Sequence, residues 1–117
     1  MGVCRDTDGI QVDMVKEMAE GLGNSGAALE QLIVKASEAR KEVLALIEDF
    51  NSGYQHKHDH NHLEMVNDSV TKYNSMVDKA QHALDWLLIQ REACGFRTHR
   101  HVNKFYPIPA KIRLLKK

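Results

Sequence analysis

The sequence predicts an all-α protein of three helices, dominated by a long antiparallel coiled-coil helical hairpin that dimerises into a helical bundle. Three observations predict it. Leu29, Leu32, Ala36, Ala39, Val43, Leu46 and Phe50 recur at alternating spacings of three and four, and so do Leu63, Val66, Val70, Tyr73, Val77, Ala80, Leu84 and Leu87. That alternation keeps one narrow apolar line against a partner helix, as in a coiled coil. The polar connection over residues 51–61 is short enough to make the two seams antiparallel neighbours.

The elements follow in chain order. Asp8 with Gln11 has the form of a capping box, and Ile10, Met14 and Met18 with Val15 and Leu22 make an apolar stripe, so a first helix is expected over 9–22. The stretch GLGNSG, residues 21–26, reads as a break. The second helix carries the first seam, with Glu30, Lys35, Glu38, Arg40, Lys41, Glu42 and Glu48 between its apolar positions, and stops at Asn51, Ser52 and Gly53. Asn61 with Glu64 offers a capping box to the third helix, expected over 62–94, with Gly95 ending it in the left-handed conformation. At 1.5 Å per residue the third helix spans about 50 Å and the second about 37 Å. Thr98 is placed to cap a single helical turn ending near Phe105. Tyr106-Pro107-Ile108-Pro109 must then be extended, because each proline fixes its own φ and pushes the residue before it out of the helical region. A division into a hairpin domain, 1–95, and a basic C-terminal tail, 96–117, follows.

Composition narrows the function classes. A chain of 117 residues fits one domain with a modest core. Cys4 and Cys94 lie near opposite ends and form no CxxC pair, which points to a reducing compartment and a cytoplasmic protein. MGVCRDTDG has no apolar run and reads as neither signal peptide nor lipobox, and Asp6 stands where a myristoylation motif wants Ser or Thr. No stretch approaches the roughly 18 apolar residues of a membrane span. The net charge of zero hides an asymmetry: residues 1–90 carry 8 basic and 15 acidic side chains, whereas 91–117 carry 8 basic side chains and only Glu92. An acidic body with a basic tail suits docking on something anionic, whether nucleic acid, a membrane surface, a partner protein or an acidic patch on another copy.

Two segments offer chemistry. In QHKHDHNHLE, residues 55–64, His56, His58, His60 and His62 occupy alternate positions. An extended strand would put all four on one face, able to ligate Zn²⁺, Ni²⁺, Co²⁺ or Cu²⁺. A helix would split them into His56 with His60 and His58 with His62. Any exposed histidine run chelates weakly, so the plainer reading is a polar loop at the tip of the hairpin. His99 and His101 follow the third helix at the other end of the rod, too far away to complete such a site within one chain.

In the tail, Arg97, Arg100, Lys104, Lys111, Arg113, Lys116 and Lys117 interleave with Phe96, Phe105 and Tyr106, the mixture of charge and stacking surface that nucleic-acid binders use. The same residues serve a tail folded back on an acidic body or bound to a protein partner, and those readings are favoured. Trp86, beside Leu87, Leu88 and Ile89, makes the apolar surface of the third helix broader than one facing helix covers. Packing under the first helix accounts for part of it and a dimer surface for the rest. Cys94 has no local Asp or Asn to orient His99 or His101 as a base, and no phosphate loop, HExxH, EF-hand or di-iron motif is present. The sequence therefore reads as a non-enzymatic interaction or assembly protein, a homodimer whose basic tail binds a partner. A metal-binding protein using the four histidines is the alternative, and nucleic-acid binding through the tail is the third reading.

Overall fold

The computed structural model describes the backbone of residues 2–52 and 60–116, with side chains described for 16–52 and 61–116. Helix α1 runs over Gly2–Ser52, α2 over His60–Ala93, and α3 is a single turn, Val102–Phe105. No strand occurs among the described residues. The α1 and α2 helices pair side by side in opposite directions, as Ser25 beside Gln90 at one end and Phe50 packed with Leu63 at the other require. The molecule is a rod of 81 × 20 × 16 Å. No helix among the described residues is long and apolar enough to cross a membrane.

The seam of α2 is buried at every predicted position, from Leu63 to Leu87. On α1, Leu29, Ala36, Val43 and Phe50 are buried and Leu32, Ala39 and Leu46 half-buried, but Ile33 is buried too and Ile47 packs against two of the three core clusters. A helix facing one neighbour buries a narrow stripe; one wedged between two buries a wider one. The second neighbour is the C-terminal tail, whose Ile108, Ile112 and Leu115 pack on the same clusters.

Four expectations are corrected. The predicted break at 21–26 does not occur: the separate helices expected on either side are one helix, and the Asp8–Gln11 pair lies inside it, its side chains outside the described residues. Glycine in a helix costs about 1 kcal/mol against alanine, a penalty that packing overrides. Here the packing is visible. Ser25 Oγ donates to Gln90 Oε1 at 2.5 Å, and Gly26 is buried with the Tyr106 hydroxyl against it, so a Cβ there would stand 2.6 Å from Tyr106 Oη. The glycine makes room for the tail rather than ending the helix.

Because α1 runs straight on past the end of α2, its first part does not fold over Trp86, and Trp86 and Ile89 are 56% and 55% exposed. The cap of α3 is His101 rather than Thr98, and it makes no side-chain hydrogen bond. The start of α2 falls at His60, slightly ahead of the expected 62.

Two expectations hold in detail. Gly95 has φ +97°, and the amides of Gly95 and Phe96 donate to the carbonyls of Glu92 and Arg91 at 3.0 Å each, the two bonds of a Schellman ending. Residues 107–116 form no helix.

The glycines of α1 yield a prediction. A Cβ at Gly21 or Gly23 meets nothing within 4 Å. Gly21→Ala and Gly23→Ala should each raise stability by about 0.5–1 kcal/mol in urea unfolding. Gly26→Ala gains the same helix propensity but must displace Tyr106, and should show no net gain. An equal gain at all three positions would mean that Tyr106 is not seated against Gly26.

Candidate functional site

The groove between α1 and α2 on the tail side is the most elaborated polar and apolar surface among the described residues. Its floor is the buried seam around Val43, Val70, Tyr73 and Val77, and residues 106–116 lie in it. The tail runs antiparallel to α2 and parallel to α1. Leu115 lies beside Asn67 and Ile112 beside Asn74, while Tyr106 lies beside Gly26 and Ala110 beside Arg40.

Two asparagines hold its main chain. Asn74 Nδ2 donates to the Ile112 carbonyl at 2.8 Å, and Asn74 Oδ1 accepts from the Ile112 amide at 2.9 Å. Asn67 repeats this on Leu115, donating at 3.0 Å and accepting at 2.7 Å. A carboxamide carries the same donor and acceptor pair as a peptide unit, so each asparagine acts as a one-residue stand-in for a neighbouring strand. The spacing explains the fit. Seven helical residues advance about 10.5 Å, and three residues of extended chain advance about 10 Å. Asn67 to Asn74 therefore matches Leu115 to Ile112. One step further the match ends, because Pro109 has no N–H to give, and Gln81 instead donates to Asp85 Oδ1 at 3.0 Å.

Between the asparagine steps, the Ala110 carbonyl accepts from Tyr73 Oη and from Arg40 Nη1, each at 2.6 Å. Arg40 Nη1 also donates to Tyr73 Oη at 3.1 Å, and its guanidinium stands 5.9 Å from the Tyr73 ring centre. The Tyr73 side chain is 1% exposed, so its O–H would lose its acceptor if the tail left, with only Arg40 still donating to the oxygen. Lys111 Nζ reaches Asp78 Oδ1 at 2.6 Å, an exposed pair of small energetic weight.

The turn that launches the tail is organised by Arg91. Its Nε donates to His99 Nδ1 at 3.2 Å, its Nη2 donates to the Thr98 carbonyl at 3.3 Å, and its guanidinium lies 4.4 Å from the Phe96 ring centre. An arginine can only donate, so Nδ1 accepts and the His99 proton sits on Nε2, facing Glu92 Oε1 at 3.1 Å.

Comparison of the chain with protein-family models, curated proteins and solved structures gives no match.

Of the residues picked out from the sequence, Arg97, Arg100, Lys104, Lys111, Arg113 and Lys116 are exposed, Phe105 is 75% exposed, and Tyr106 is half-buried against Gly26 and the core. Lys117 lies outside the described residues, as do His56 and His58. The backbone of His60 starts α2 but its side chain is also outside them. His62 is described: it is half-buried and stacks on Phe50 with ring centres 5.3 Å apart. Among the described residues no group of three or more His, Cys, Asp or Glu side chains is placed to hold a metal. Cys94 is half-buried and carries a free thiol.

Sequence reasoning missed Asn67, Asn74 and Ala110 altogether, and took Arg40 only as part of a solvated face. The available signal was the position of the two asparagines. Each directly follows a buried seam residue, Val66 or Tyr73, one heptad apart.

Proposed function

We propose that the chain is a non-enzymatic interaction and assembly protein of the cytoplasm, in which the hairpin is a rigid scaffold and the basic tail is the surface that binds a protein partner. What supports the reading is a division of labour along the tail. Its carbonyls at 110, 112 and 115, its amides at 112 and 115 and its apolar side chains at 108, 112 and 115 are taken up by the hairpin, while Arg97, Arg100, Lys104, Arg113 and Lys116 are exposed. A tail fixed in this way displays its charges in a set order without the entropy cost of ordering a loose segment at the moment of binding. The exposed Trp86 and Ile89 add an apolar face suited to a second copy.

The test is to change Arg97, Arg100, Lys104, Arg113 and Lys116, whose side chains make no hydrogen bond or ion pair with the described residues of the hairpin, together to Glu. The native partner of the unaltered full chain, identified by crosslinking and mass spectrometry, should be lost while the helical circular dichroism signal is kept. Capture that survives the five reversals would refute the role given to the tail. A partner that proves to be nucleic acid, with affinity falling steeply in salt, would replace the protein-partner reading.

A further inference from the structure

We propose that the α1–α2 groove is a receptor for an extended chain segment, and that the tail of a second copy of this protein occupies it in trans, so that copies assemble by exchanging tails. The inference rests on the assembly reading above and gives it a mechanism.

The groove has the composition of a peptide site rather than of a plain helix interface. It reads main chain through Asn67 on residue 115, Asn74 on residue 112, and Tyr73 with Arg40 on residue 110. It reads side chains through apolar positions for Ile108, Ile112 and Leu115. Main-chain reading accepts any extended segment; the apolar spacing of four and then three, with a proline where the asparagine ladder stops, selects this tail. Charge selects it too. The body is acidic and the tail basic, and the Lys111–Asp78 pair made within one chain has the same chemistry between two copies.

The tether permits exchange. Residues 95–101 connect α2 to α3, and Gly95, Phe96, Arg97, Thr98, Arg100 and His101 are exposed. Swinging this link outward gives up the Arg91 contacts with His99, Thr98 and Phe96 and the His99–Glu92 contact, all where α2 ends. A swapped pair keeps every tail–groove bond, so the two states differ mainly in the entropy of the tether and in those launching contacts. A short tether gives the cis tail an effective concentration on the order of millimolar. Isolated copies at micromolar concentration therefore stay closed, and exchange takes over where copies are crowded on a common surface or lattice. An empty groove is disfavoured in either case, because the buried Tyr73 hydroxyl and the apolar floor would lose their cover.

Two full-length variants test this in mixture. Ile112→Asp/Leu115→Asp has a sound groove and a disabled tail; Asn67→Ala/Asn74→Ala has a sound tail and a disabled groove. With the first labelled with ¹⁵N, its Asn67 and Asn74 side-chain amide signals should sit at shifted, undocked positions. They should return to the wild-type positions as the unlabelled second variant is added, saturating at one to one, with light scattering giving twice the chain mass. Signals that stay undocked with the second variant near about 1 mM would overturn the proposal. So would equal recovery from a variant whose residues 108, 112 and 115 exchange places with their exposed neighbours, since the groove would then be merely sticky. Should the double aspartate substitution melt the helices, Leu115→Asp alone, at a half-buried position near the hairpin tip, repeats the test. The mixture contains only this chain, so a loss of the outside partner in the charge-reversal experiment and a failure of exchange are read separately.

Discussion

Tyr73→Ala is expected to cost about 3–5 kcal/mol in urea unfolding, the range for truncating a buried aromatic. The ring is 1% exposed and stands in the middle cluster of the core with Ala36, Val43, Val70 and Val77, so its loss leaves a cavity that rigid helices on both sides cannot close. For a domain whose whole stability is on the order of 5–15 kcal/mol, that is a large share of the total. Tyr73→Phe isolates the hydroxyl. It removes the bond to the Ala110 carbonyl, which keeps its second donor, Arg40, and should cost about 1 kcal/mol. A Tyr73→Ala variant less than about 1 kcal/mol weaker than wild type would show that the middle of the hairpin is not packed as described.

Asn67→Ala with Asn74→Ala should release the end of the tail while sparing the hairpin. Four hydrogen bonds are lost, each worth about 1 kcal/mol, and water reaching the half-buried carbonyls returns part of this, so roughly 2–4 kcal/mol of docking is expected to go. Hydrogen exchange reads the result at the two amides concerned. Ile112 and Leu115, whose N–H groups point at Asn74 Oδ1 and Asn67 Oδ1 in the wild type, should exchange about 30–1,000-fold faster. Amides around Val70 and Ala80 should keep their protection. Unchanged exchange at 112 and 115 would mean that the apolar contacts alone hold the tail.

The α2 seam was legible because one residue type, at one spacing, answers to one partner: all eight of its predicted positions are buried. The α1 seam was legible only in part. A strict three-four reading has no place for Ile33 and Ile47, which directly follow Leu32 and Leu46 just as Asn67 and Asn74 follow Val66 and Tyr73. These flanking positions, apolar on one helix and carboxamide on the other, border the groove that takes the tail, which the periodicity of either helix alone does not reveal. The glycines misled for a related reason. Propensity is a local quantity, whereas the use of Gly26 lies 80 residues away at Tyr106. The tail, read as basic, was legible in its charges and in the extension imposed by its prolines. Its address was not, because Asn74 and Asn67 hold Ile112 and Leu115 by main-chain groups that every residue carries, and the apolar spacing of 108, 112 and 115 does not by itself name the groove that takes it.

The straight course of α1 has a hydrodynamic consequence. Compact chains follow a radius of gyration of about 2.2·N^0.38 Å, or roughly 13 Å at this length. The rod has 21.5 Å, which the same relation assigns to a globule of about 400 residues. A lone copy will therefore leave a sizing column early, among proteins several times its mass, and will tumble slowly about its short axes and quickly about its long one. Elution volume will overstate the number of copies in a particle; scattered light, which weighs mass and not reach, will count them correctly.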